Sequence, residues 1–166
     1  MNCKIIKKEY LLLLIFSLFM VNCSIVNRKN PQNLVDEIAP RSSTVSSIIE
    51  KHGNPDRINE FDDKNSKHVI LNYGENHFYF RIYENGSSFL ISWFLESNFS
   101  EYSDLLSNNK LNKKDIRKMF GKGESEGFYQ NSSYIEYNVN NGTLLFNFKD
   151  EKLISIVWRD EAGNWI

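Results

Sequence analysis

Val69-Ile70-Leu71-Asn72-Tyr73 and Phe78-Tyr79-Phe80-Arg81-Ile82-Tyr83 place large apolar side chains at every second position. A period of two is the signature of a strand with one buried face. Phe89, Ile91 and Trp93 continue the alternation, and Asn85-Gly86 between them is a strong hairpin signal. A three-stranded antiparallel meander is therefore predicted. Val69, Leu71, Tyr73, Phe78, Phe80, Ile82, Phe89, Ile91 and Trp93 would point into the core. Since strand side chains alternate, Tyr79, Arg81 and Tyr83 would point away from it.

The same pattern recurs further along. Ile135, Tyr137 and Val139 alternate, as do Leu144, Phe146 and Phe148, and then Ile154, Ile156 and Trp158. Asn141-Gly142 and Asp150-Glu151 are the predicted turns. Each meander is preceded by helical spacing. Val45, Ile48, Ile49 and His52 share one helical face, as do Ile116, Met119 and Phe120. Gly53 and Gly121 stand where these helices must stop, Pro55 forbids continuation of the first, and Asn112 with Asp115 loosely resembles a capping box. Shorter helices are expected over 34–39 and 102–107, ahead of those at 44–52 and 113–120.

The fold class that follows is α+β, with two tandem ααβββ repeats over 34–97 and 102–166 and the helices packed on one face of an antiparallel meander sheet. One such unit alone is marginal in size. Fused, the two would share a core and extend one sheet to about six strands.

The first 22 residues have a different character. Lys4, Lys7 and Lys8 precede an apolar run that ends at Val21-Asn22-Cys23. A basic segment followed by a short apolar one is the form of a secretory signal, and the run is too short for a permanent membrane span. Met20-Val21-Asn22-Cys23 resembles the bacterial lipobox, although Asn22 departs from its usual small residue. The resemblance implies cleavage before Cys23 and lipid on its thiol. Residues 23–33 read as a tether. The expected location is the bacterial cell envelope, at the outer membrane, held by the lipid.

A helix ending in Gly53-Asn54-Pro55, then a meander, behind such a leader, resembles the BamE/SmpA-like outer-membrane lipoproteins. Doubling the unit resembles the β-lactamase-inhibitor-protein (BLIP)-like fold. Both resemblances imply protein–protein contact in the cell envelope, in assembling outer-membrane proteins or in capping an enzyme; no catalysis is expected of the chain itself. They assign no functional residue, because the shared motif is a helix stop, and Gly121-Lys122-Gly123 lacks the proline in the second copy.

The remaining chemistry is sparse. The net charge of −1 gives no nucleic-acid footprint. The two cysteines are Cys3, inside the leader, and Cys23, so no disulfide or thiol nucleophile is expected. His52, His68 and His77 lack metal-binding spacing, and neither metal nor cofactor is predicted. Glu60 with Asp62-Asp63 reads as a solvated acidic loop. The serine clusters at Ser42-Ser43 and Ser46-Ser47 lack a nucleophile frame. What stands out is the outward trio Tyr79, Arg81 and Tyr83, residue types enriched at protein interfaces. The expected partner is another envelope or outer-membrane protein. The rival expectation is a small-molecule or lipid binder with an aromatic pocket between helices and sheet, and an envelope hydrolase is a further one.

Overall fold

A computed structural model describes residues 28–96, 111–129 and 131–161. Cys23, the apolar leader and the expected helix over 102–107 lie outside the described residues. The described chain runs α1 (Pro31–Ile38), α2 (Val45–His52), β1 (Arg57–Asp63), β2 (Ser66–Tyr73), β3 (Asn76–Tyr83), β4 (Ser88–Glu96), α3 (Lys113–Phe120), β5 (Ser125–Tyr129), β6 (Ser132–Val139), β7 (Gly142–Lys149) and β8 (Lys152–Asp160).

Two tandem ααβββ units are not what the chain builds. The strands form a single eight-stranded sheet in the order β1-β2-β3-β4-β8-β7-β6-β5, with every neighbouring pair antiparallel. Each meander has four strands. The strand missed in each is the edge strand, β1 or β5. The burial of β1 (Arg-Ile-Asn-Glu-Phe-Asp-Asp) and β5 (Ser-Glu-Gly-Phe-Tyr) hardly alternates, because nearly every residue is exposed. An edge strand needs only one partner and tolerates charge on both faces. The carboxylates of Glu60, Asp62 and Asp63, expected in a loop, therefore sit in β1.

The sheet closes where the last strands of the two meanders meet. Trp93 lies opposite Trp158 across β4 and β8, and both are fully buried. Each of these strands carries a bulge. Ile91 is skipped between the Phe80–Leu90 and Tyr79–Ser92 pairs, and Ile154 between Phe148–Leu153 and Asn147–Ser155. A bulge adds one residue and reverses the phase of the alternation. Leu90, not Phe89, thus faces the core in β4, and Leu153, not Ile154, in β8.

The helices cover one face only. Leu34, Val35, Ile38, Ile48, Ile116 and Phe120 bury against Leu71, Phe78, Phe80, Trp93, Phe146, Phe148 and Trp158 in one cluster. Helix α1 starts earlier than expected, at Pro31, with the Asn30 side chain accepting from Gln32 N at 3.0 Å. Proline suits the first turn because its missing N–H has no partner there anyway. Part of the expected tether is thereby folded, and Lys29 N donates to Met119 O at 2.7 Å. Helix α2 is capped by Thr44 and α3 by Asn112, each within a capping box.

The two longer-range helix stops are built alike. Gly53 (φ +82) and Gly121 (φ +91) end α2 and α3 in a region of backbone space that only glycine occupies without strain. Tyr73 Oη donates to Gly53 O at 3.0 Å, and Tyr137 Oη to Gly121 O at 2.8 Å. The β6–β7 turn is one residue earlier than expected. Val139 pairs with Gly142, so Asn140-Asn141 is the loop and Gly142 opens β7. A Cβ on Gly142 would collide with the carbonyl oxygen of Arg159 and lie 3.0 Å from Trp158 Nε1.

Candidate functional site

With all described helices on one face, the other face of the sheet is open. Strands β1 to β4 bring one row of side chains straight across it: Phe61 opposite His68, His68 opposite Arg81, and Arg81 opposite Phe89. Along β3, Tyr79 and Tyr83 flank Arg81 on the same face. Arg81 therefore has Tyr79, Tyr83, His68 and Phe89 as neighbours on this face, with Phe61 one strand beyond.

The outer rings are solvent-facing. Phe61 and Tyr83 are each 41% exposed and Phe89 38%. Tyr83 and Phe89 meet edge-on with centroids 5.9 Å apart. The Arg41 guanidinium lies over Phe89, 5.8 Å from the ring centroid, and pairs with Asp160 at 2.9 Å. Phe89 reaches this face through the β4 bulge, which is why alternation counted from Trp93 assigned it to the core.

His68 forms the floor. Its side chain is fully covered, but the cover is one side chain thick. Phe61 stacks on the imidazole at 4.9 Å, nearly parallel, and Tyr79 lies tilted at 5.5 Å. Tyr79 Oη is 2.7 Å from Nδ1, and Ser66 Oγ is 3.1 Å from Nε2. The two hydroxyls serve a neutral ring in either tautomer. Burial lowers the His68 pKa below its usual 6.5, Arg81 lowers it further, and Asp63, 4.0 Å from Nε2, opposes both. Burial raises the Tyr79 phenol pKa, with Arg81 acting against it. Tyr79 is thus a support for His68, with its hydroxyl already engaged.

Arg41, Lys67, Arg117 and Arg159 each lie within ion-pair distance of a carboxylate. Among the described residues, Arg81 makes no such pair, and its Nε, like that of Arg41, is buried with no hydrogen-bond acceptor.

The β5–β8 half of the open face has a different make-up. Asn147 Nδ2 donates to Ser155 Oγ at 3.0 Å, and Arg159 lies 3.9 Å from Glu136. Polar groups there satisfy one another. The expected trio Tyr79, Arg81 and Tyr83 therefore lies on one strand and one face. Phe61, His68 and Phe89 complete the group and were not legible as members, since they come from an unrecognised edge strand, a residue read only for its metal-binding spacing, and a strand whose phase is reversed.

Of the other histidines, His77 lies on the same open face two residues before Tyr79 on β3, and His52 lies on the helix side. His77 stacks on Phe94 at 5.0 Å, and burial lowers its pKa. His52 stacks on Phe78 at 5.2 Å, beneath the helices. Among the described residues no three of His, Cys, Asp and Glu converge as metal ligands, and no helix is long and apolar enough to cross a membrane.

No family model matches the chain, and no curated protein matches it either. Among solved structures it is similar to a DUF4309 family protein, YjgB, from Bacillus subtilis. The TM-score is 0.50 at 12% identity, over 75% of this chain and 82% of that one. At that identity the likeness concerns the fold alone.

Proposed function

We propose that this chain is a non-catalytic, lipid-anchored lipoprotein of a bacterial envelope that binds another envelope protein through the open face of β1–β4. The observation that carries this reading is the cluster of exposed rings, Phe61, Tyr83 and Phe89, around Arg81 on a face the helices leave bare. Aromatic side chains with arginine at the centre of a patch are the usual energetic anchors of protein interfaces. Export and anchoring are supported by the leader that ends at Cys23. Confinement to a membrane would raise the local concentration at a partner in the same envelope.

The small-molecule reading needs a cavity between helices and sheet. That space is filled by Phe78, Phe80, Trp93, Phe120, Phe146 and Trp158. A cleft of about 410 Å³ does lie outside it, where α1 meets the β6–β7 turn, bordered by Asp36, Arg41, Phe89 and Asn140. It is open to solvent and bordered by the charged Asp36 and Arg41, which suits a small hydrophobic ligand poorly.

The test is photocrosslinking of the anchored chain in its own envelope. A benzophenone amino acid at position 83 is compared with one at position 145 on the other half of the face. The reading expects a discrete adduct, of one identified protein, at position 83 only. Equal or absent adducts at both positions would remove it.

A further inference from the structure

Resting on the lipid-anchor reading above, we infer that the outer face of α3 and the β5 edge dock on an anionic lipid bilayer, so that the molecule stands on its membrane by that end and holds the β1–β4 face clear of it.

The place where the tether enters sets the first condition. Lys29 N donates to Met119 O at 2.7 Å, at the end of α3. The Arg28 side chain covers Gly121, where a Cβ would lie 3.4 Å from a guanidinium nitrogen. Cys23 is only five residues before Arg28, and five residues reach at most about 18 Å. A lipid on Cys23 therefore keeps the end of α3 within that distance of the headgroups.

The charge at this end is of one sign. Residues 111–122 carry five basic side chains and one acidic. Lys114 and Lys118 are exposed one turn apart on the outer face of α3, and exposed Lys122 follows just past its end. Like charges at that spacing weaken a helix. Among the described residues, none of these three lysines, nor Arg28 or Lys29, lies within ion-pair distance of a carboxylate. The acids nearby do not cancel them. Asp115 accepts from Asn112 N at 3.0 Å within the helix cap. Glu126 accepts from Arg117 Nε at 2.9 Å. Asp150 and Glu151 stand between Lys149 and Lys152. Glu37 and Glu124 remain, against five unpaired cations. Clustered basic residues beside a lipid anchor are drawn to anionic headgroups by their summed charge.

The β5 edge adds apolar contact. Phe128 is 83% exposed and Tyr129 71%, more than any other large hydrophobic among the described residues. Lys113 Nζ lies over the Phe128 ring at 5.2 Å, which joins this edge to the cationic helix. Exposed rings beside lysines are the make-up of an interfacial contact. The opposite edge has the reverse character. Strand β1 sets Glu60, Asp62 and Asp63 against Arg57, seven strand spacings or about 34 Å from β5. An anionic surface would attract the β5 end and repel the β1 end.

The full-length chain is expressed in bacteria, recovered from their membranes in detergent, and placed in vesicles of phosphatidylcholine, alone or mixed with phosphatidylglycerol. Intact mass reads lipid on Cys23 directly. The fluorescent amino acid acridonylalanine replaces Ser125 on β5 or Asp62 on β1, and lipid with a nitroxide headgroup quenches whichever lies near the surface. Quenching should be stronger at position 125 in the anionic vesicles, and salt should weaken that preference. Each lysine near an anionic surface is worth about fivefold in affinity, so Lys114→Gln, Lys118→Gln and Lys122→Gln together should shift the balance of orientations about a hundredfold. Arginine at the same three positions should keep the preference and controls for folding.

Equal quenching at the two positions, stronger quenching at position 62, or a preference indifferent to the three glutamines would overturn the docking surface. If the mass still shows lipid on Cys23, the anchor reading survives that failure. A chain recovered without lipid would remove the anchor reading and the docking surface together.

Discussion

The Tyr137 phenol donates to the carbonyl oxygen of Gly121 at 2.8 Å, in a buried setting. The bond ties the end of α3 to the middle of β6, and Tyr73 with Gly53 does the same for α2 and β2 at 3.0 Å. Tyr137→Phe would leave a buried carbonyl short of a donor, at about 1–3 kcal/mol. Tyr73→Phe should cost less, since water reaches the Gly53 carbonyl. Urea midpoints of the two variants should rank in that order.

The burial of the same phenol predicts an alkaline limit. Burial pushes the Tyr137 pKa from 10.0 up to about 12. Between those values the unfolded chain releases a proton that the folded chain keeps, so stability falls as pH rises above 10. It is fully present below that pH. Tyr79 adds a contribution of the same sign. Denaturant melts at pH 9, 10 and 11 should show the decline, and Tyr137→Phe should flatten it.

On the acid side His68 and His77 act alike, both with pKa values below 6.5 when folded. Above 6.5 both states are neutral and stability is independent of these groups. Below it the unfolded chain takes up protons that the folded chain refuses, so stability falls as pH falls, until the folded pKa is passed. His68→Gln should reduce the slope of the urea midpoint against pH below 6.5 and leave the part due to His77. An unchanged slope would mean that the imidazole is freely solvated.

Two glycines should respond to alanine for different reasons. Gly74 has φ +62 with open space around it, so Gly74→Ala pays only the left-handed backbone cost, about 1–2 kcal/mol. Gly142 needs no unusual φ, but its Cβ would strike the Arg159 backbone. Gly142→Ala must displace β8 from β7 and should be the more damaging of the two, beyond the usual 1–3 kcal/mol of overpacking. Thermal melts of the pair decide it.

What could be read in advance follows from how each signal arises. Val45, Ile48 and Ile49, the Asn112–Asp115 cap and the alternation of Phe78, Phe80 and Ile82 are local, and each was legible. Strands β1 and β5 were not, because an edge strand with exposed Phe61 or Phe128 carries no burial period to detect. The bulges at Ile91 and Ile154 could not be seen either, because an inserted residue shows itself only against the strand beside it. That same blindness hid Phe89 from the candidate site. Tyr79, Arg81 and Tyr83 were legible since their strand runs unbroken from Phe78 to Ile82.

The Trp93–Trp158 meeting has a consequence for assembly. Every other strand pairing joins consecutive segments of chain, whereas this one joins positions about 65 apart. Local hairpins zip quickly, and a distant closure is the slow step. Until it happens, β4 and β8 are raw edges shaped for each other. A second molecule at high density offers the same pair of edges, so the natural misstep of this fold is an exchanged dimer, in which one molecule's Trp93 settles against its neighbour's Trp158.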